Sequence, residues 1–233
     1  MKKGTIIRIY IVAFIYFSAS AISKCQESIE ESILNRYSDI YEDPTGYLDG
    51  RRNTFIYPPA IGNPWFMMAG QVNSILETEK GTYHDLLLGY DILNDELILT
   101  FRDTAGMESI MVNKNIIHSF GLFGARFINL ETGLLPESGF YEEVYTNNLK
   151  FYIKHKKTLI RQSGPVQYEY RYKTIKYLVK DNAYFMINNN RALIKALGDK
   201  RSEVKSFLRE HQILVRSASN GELISVLREY EGI

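Results

Sequence analysis

From Trp65 onward, apolar and polar residues alternate with a period of two, the pattern of strands that bury one face. The stretch YHDLLLGYDILNDELILTFR predicts a hairpin turning at Asn94-Asp95. In that register Ile92 faces Leu97, Tyr90 faces Leu99 and Leu88 faces Phe101, so one face is wholly apolar, which is what fixes a register. The preceding GQVNSILETEKGTY predicts a strand and a bend at Gly81, and ESIMVN and FGARFINLE predict further short strands.

GFYEEVYTNNLKFYIKHK predicts a second hairpin with Asn147-Asn148 at its tip, because Asn tolerates the left-handed backbone of a tight turn. Val144 then faces Phe151 and Glu143 faces Tyr152. A third hairpin turns at Asp181-Asn182 and sets Val179 against Tyr184 and Tyr177 against Met186. Between them the aromatic parity shifts, from Tyr168, Tyr170 and Tyr172 to Ile175, Tyr177 and Val179, which predicts a β-bulge near Lys173.

After residue 190 the period lengthens to that of a helix. ALIKALG predicts a short helix ending at Gly198, with Asp199 capping the next one. Ser219-Asn220-Gly221-Glu222 has the form of a capping box and opens a last helix with Leu223, Val226, Leu227 and Tyr230 on one side. Strands first and helices last predict an α+β fold: an antiparallel β-meander of about nine strands, a curved sheet or barrel-like, followed by short C-terminal helices.

The expected organisation is a signal peptide at 1–21, an N-terminal helix (Glu27 to Tyr41) and turn-rich segment at 22–60, a β domain at 61–190 and a helical segment at 191–233. The start carries the signal-peptide pattern: the basic MKKGTIIR, an apolar run from Ile9 to Phe17, and Ala19-Ser20-Ala21 at the cleavage position. That run is too short to span a bilayer, which takes about 20 apolar residues. No other stretch is long enough, so no transmembrane span is expected in the mature chain. A periplasmic or secreted location follows. Lipid attachment at Cys25 is the disfavoured alternative, since Lys24 stands where a small residue is expected. One cysteine forms no internal disulfide, so the core alone must hold the fold.

The formal net charge of +1 hides a polarity along the chain. Residues 22–149 carry 8 basic and 19 acidic groups, whereas 150–180 carry 9 and 1. Either the basic strands lie beside acidic ones, or they form a patch that meets an outside anion. On the strand from 150 to 156, Lys150, Tyr152, Lys154 and Lys156 share a parity opposite to Phe151 and Ile153. The expected binding surface is therefore Tyr141, Glu143, Tyr145, Lys150, Tyr152, Lys154 and Lys156. Basic groups interleaved with aromatics suit nucleic acid, but an exported chain rarely meets it. An anionic envelope component or an acidic protein is the expected partner.

The chemistry-bearing residues are sparse. His84, His118, His155 and His211 stand alone, and no metal, nucleophile-elbow or phosphate-loop motif occurs. No metal site and no cofactor are expected. Glu142 is the one catalytic candidate, because it falls on the apolar face across from Ile153, where burial raises a carboxyl pKa.

GNPWF, GQV, LLLGYDILNDELIL and GFYEEVY, with the Lys-rich C-terminal helices, resemble an uncharacterised family of secreted Bacteroidetes proteins over roughly 60–230. The resemblance implies export and a β-meander with C-terminal helices, and no activity or site residue. The reading is an exported envelope protein, a non-enzymatic ligand- or partner-binding module. The alternatives are a periplasmic hydrolase using a sheet carboxylate and a carrier of an apolar ligand.

Overall fold

A computed structural model describes residues 48–103, 106–131 and 133–232. The expected signal peptide at 1–21, Cys25 and the helix expected at Glu27 to Tyr41 lie outside the described residues. Among the described residues eleven strands form one antiparallel sheet: β1 (Gly50–Arg52), β2 (Gln71–Thr78), β3 (Gly81–Asp91), β4 (Glu96–Asp103), β5 (Gly106–Val112), β6 (Ile117–Leu122), β7 (Ala125–Leu130), β8 (Gly139–Thr146), β9 (Lys150–Arg161), β10 (Tyr168–Lys180) and β11 (Ala183–Met186). Their spatial order is β1-β5-β4-β3-β2-β6-β7-β8-β9-β10-β11. Three helices follow: α1 (Asn190–Ala196), α2 (Arg201–Glu210) and α3 (Asn220–Glu231). The α+β meander with C-terminal helices is therefore the fold, and the sheet is curved and not closed.

The third hairpin is as expected. Tyr177 pairs with Met186 and Val179 with Tyr184, and Asp181 and Asn182 both take positive φ, +51° and +58°. The first hairpin differs by two positions. Tyr90 pairs with Leu97 and Leu88 with Leu99, across a four-residue connection from Ile92 to Asp95. The Asp91 carboxylate accepts from the backbone N–H groups of Leu93 (2.9 Å) and Asn94 (3.2 Å), which stabilises this wider turn. A slip of two keeps every side chain on its face, so the apolar face survives. In the second hairpin Glu142 faces Ile153 and Glu143 faces Tyr152, but a bulge at Val144 sets Tyr145, not Val144, against Phe151.

No bulge occurs in β10, whose pairing with β9 runs unbroken from Tyr168–Arg161 to Val179–Lys150. The parity shift reflects instead which face of β10 is covered. Tyr177 and Val179 join a cluster with Leu135, Tyr141 and Tyr152, while Leu178 faces the opposite side and packs beneath the helices. Asp199 does not cap α2. It lies in a 3-10 turn, paired to Lys180 and accepting from Tyr230 Oη (2.9 Å). The capping box of α3 is formed: Ser219 and Glu222 bond reciprocally.

Two apolar cores share the concave side. One joins β8–β10 to the helices through Phe151, Ile153, Leu178, Val204, Leu223 and Leu227. The other fills the roll of β2–β8 and is aromatic, with Tyr90 edge-on to Phe140 (5.6 Å between centroids) and Phe120 stacked on Phe127 (5.1 Å).

The segment from Ile61 to Phe66 crosses the mouth of the roll. Ile61 bridges to Glu169 of β10, and Trp65 bridges to Asp91 of β3. Phe66 N–H donates to Tyr90 O (2.8 Å) and Ile92 N–H to Pro64 O (3.0 Å). Tyr57 Oη donates to the fully buried Asp91, and Lys157 clamps the carbonyls of Asn63 and Trp65. Gly89 leaves room for this crossing, since a Cβ there would stand 3.1 Å from the Trp65 ring and 2.7 Å from Gln71 Cγ.

Candidate functional site

The seven residues of the expected surface do not form one exposed face. Tyr141, Tyr152 and Lys154 are buried; Glu143, Tyr145 and Lys156 are half-buried; Lys150 is exposed. The parity argument presumed one wet face. The centre of the β8–β9 pair is covered on both sides instead, by the helices over Phe151 and Ile153 and by the tyrosine cluster around Tyr141 and Tyr152. The remaining polar groups are engaged locally. Glu143 accepts from Arg126 (2.9 Å), Tyr145 Oη donates to Glu231 (2.5 Å), and Lys156 pairs with Glu137.

Lys154 is the most consequential of these corrections, being 4% exposed. Its ammonium donates to Asp95 Oδ2 (3.0 Å) and Phe140 O (3.0 Å) and lies 4.8 Å over the Tyr141 ring. Asp95 also accepts from Lys114 (2.7 Å) and, through Oδ1, from Tyr90 Oη (2.5 Å). Burial pulls the Lys154 pKa down, and the Asp95 charge works against that. Gly139, at φ +120°, makes the junction possible, since a Cβ would stand 2.0 Å from Asp95 Oδ2. Beside this junction is a cleft of about 200 Å³ lined by Asp95, Glu137, Lys154, His155, Lys156 and Lys157. Every lysine on it already holds a carboxylate or a carbonyl.

Glu142 lies at the other face of β8, 7% exposed, and is satisfied on both oxygens. Oε1 accepts from Asn220 Nδ2 (2.7 Å) and Oε2 meets His155 Nε2 (2.7 Å). His155 Nδ1 meets Tyr172 Oη (2.5 Å), and Phe66 and Phe127 enclose the imidazole at 4.9 and 5.7 Å. With Nε2–H donating to Glu142, Nδ1 accepts the phenol proton, so a Glu–His–Tyr relay runs from the base of α3 to β10. Its roles match those of a base-activated hydroxyl. The phenol is nonetheless a reluctant acid, its pKa pushed up to about 12 by burial first and the Glu142 charge second. Sequence reasoning singled out Glu142 but missed His155, Tyr172 and Asn220. The available signal was His155 sharing the parity of Phe151 and Ile153, where a polar ring needs a buried partner.

Exposed basic groups lie on β10 and also along the helices, where Arg191, Lys195, Arg201, Lys205, Arg209 and Arg228 are exposed. Arg171, Tyr172, Lys173 and Thr174 are consecutive exposed residues of β10. Arg171 has only a long contact to Glu169 (3.7 Å). Lys150, Lys173 and Arg216 are exposed without a carboxylate at ion-pair distance among the described residues.

The raised tyrosine pKa values predict that alkali destabilises the fold. Burial of Tyr152, and desolvation of the Tyr172 hydroxyl where it turns in to His155 although half of the residue is exposed, hold both at about 12, above the ordinary value of 10.0. A pKa raised on folding stabilises fully below the unfolded value and is lost as pH rises through the folded one. Stability is expected to fall between about pH 10 and 12, with Tyr152→Phe and Tyr172→Phe together shallowing the fall. Thermal melts across that range check it; an unchanged slope in the double variant would count against these two tyrosines as the cause.

Comparison with protein-family models, curated proteins and solved structures finds no match. Among the described residues no cluster of three His, Cys, Asp or Glu side chains is placed to hold a metal, and no helix is long and apolar enough to cross a membrane.

Proposed function

We propose that this chain is an exported, non-enzymatic binding module whose partner is an acidic protein met by the basic face of β10. The supporting observation is the pair of exposed positive charges there, Arg171 and Lys173, with Arg216 lining a concavity beside Thr174 and Lys176, while the acidic groups of the earlier strands are paired with other residues. Such charge steers an acidic partner and sets specificity, and its contribution weakens with salt. The test uses a fluorescein-labelled deca-glutamate peptide and anisotropy at low and high salt. Arg171→Glu with Lys173→Glu is expected to weaken binding at least tenfold without moving the melting temperature. Equal binding by parent and double variant would overturn the acidic-partner reading. Preference for anionic lipid vesicles over the peptide would move the reading to an envelope component.

The hydrolase reading has one support, the Glu142–His155–Tyr172 relay. It requires a turnover that Tyr172→Phe abolishes while Glu142 and His155 remain paired. The apolar-carrier reading has less, because the concave side of the roll is filled by its own aromatic cluster.

A further inference from the structure

The inner edge of β10 is fully paired with β9. Among the described residues its outer edge is paired only at its two ends. At one end Ile61 N–H donates to Tyr168 O (2.9 Å) and accepts from Tyr170 N–H (2.9 Å). At the other end β11 pairs with Tyr177 to Lys180, and Ile187 N–H donates to Lys176 O (2.8 Å). In an antiparallel strand the N–H and C=O of one residue point to the same side, and successive residues alternate. Tyr168, Tyr170 and Lys176 point outward, so Tyr172 and Thr174 do as well. Their two N–H and two C=O groups have no backbone partner among the described residues, and residues 171–174 are all exposed.

This gap is bounded. From Tyr170 to Lys176 the strand runs roughly 20 Å, at about 3.4 Å per residue, so an inserted chain has room for about four residues. At its far end is a concavity of about 280 Å³ lined by Thr174, Lys176, Met186, Ile187, Asn188 and Arg216. Arg171 and Lys173 project from one face of the gap. Basic side chains on an edge repel a second basic edge, so pairing with another copy of β10 is disfavoured and an acidic strand is favoured.

We infer that β10 receives a short extended acidic segment of a partner protein as an added strand between Ile61 and Ile187. The main-chain bonds go to the N–H and C=O of Tyr172 and Thr174. Acidic side chains of the segment meet Arg171 and Lys173 on their face of the strand, and the alternate side chains lie on the opposite face beside Thr174 and the concavity. Strand addition of this kind takes affinity from the backbone and specificity from the flanking side chains. The inference rests on the acidic-partner reading above, to which it adds the edge and the binding mode.

The experiment uses the full chain and a labelled hexapeptide of alternating Glu and Val, whose four central residues fill the gap while its two ends turn outward. Amide exchange of Tyr172 and Thr174, followed by NMR, is expected to be fast in the free protein and slowed at least tenfold at saturation. Thr174→Pro removes an outward N–H and places a ring in the gap without touching the β9 ladder, so it is expected to weaken binding at least tenfold. Thr174→Val, which keeps the N–H, is expected to stay within twofold. A thermal melt shows whether the proline variant folds, and the exchange measurement on the parent stands independently of it. If the double charge variant loses binding while Thr174→Pro binds as the parent and the two amides stay fast, the acidic partner stands and strand addition is overturned. If the hexapeptide and deca-glutamate both fail to bind, both readings fall. Protection of the two amides in the free chain would show the edge already occupied and overturn the inference.

Discussion

Asp95→Ala is expected to cost about 3–5 kcal/mol, the loss typical when one partner of a buried ion pair is removed. The carboxylate holds two ammonium groups and a phenol: Lys154, Lys114 and Tyr90. Lys114 is a third exposed and can turn to water, but Lys154 is 4% exposed and cannot. The loss therefore comes mainly from stranding Lys154, whose remaining acceptor is Phe140 O. Asp95→Asn keeps acceptor geometry without the charge and should fall between parent and alanine. Asp95→Ala with Lys154→Met removes the stranded ammonium and should recover much of the loss. Urea unfolding of the four proteins checks this. A double variant no more stable than Asp95→Ala would mean that the turn geometry of Asp95, and not its charge, carries the effect.

His155→Ala is the second large effect, about 3–5 kcal/mol. It opens a cavity between Phe66 and Phe127 and leaves Glu142 Oε2 and Tyr172 Oη without their partner. Glu142→Gln is expected to be milder, about 1–2 kcal/mol, for a specific reason. An amide placed at 142 must turn its NH₂ toward Asn220, where two donors meet, or toward His155. The second choice makes Nε2 the acceptor, moves the imidazole proton to Nδ1 and reverses the bond to Tyr172. The Nδ1 and Nε2 chemical shifts of His155 read this directly. A Gln variant that retains the Nε2–H tautomer would contradict the relay as described.

The two examples show which parts of the protein were legible in the sequence. Turn chemistry was, as at Asp181-Asn182, because left-handed backbone is a local demand that few residues meet. So was the capping box at Ser219. Register was legible only as to face. The Asp91 carboxylate widened the first turn by two residues, a choice made by hydrogen bonds that alternation does not record. The binding surface was not legible, because parity says which residues share a face and not whether that face is wet. Lys154 and Tyr152 follow the parity of a polar face and are inside, since the meander curls and a tyrosine cluster covers them. The relay was half-legible: Glu142 betrayed itself by its position, whereas Asn220 comes from a helix 78 residues away. No local pattern joins the two.

The crossing segment from Ile61 to Phe66 has a consequence for the order of events as the chain is made. Its anchors come in two sets: Tyr90, Asp91 and Ile92 of β3 and its turn follow within about 30 residues, whereas Lys157 reaches Asn63 from 94 positions further on and Ile61 waits for Tyr168 and Tyr170. Loops of that length close at an entropic cost that must be met before the contacts repay it. Until β9 and β10 emerge, the segment has nothing on that side to fasten to, and the mouth of the roll stands open over its aromatic interior. Trp65, the single tryptophan, is held early by Asp91 of β3 and later by Lys157, which reaches its carbonyl from β9, so the latch is fastened twice, first by the near half of the chain and then by the far half.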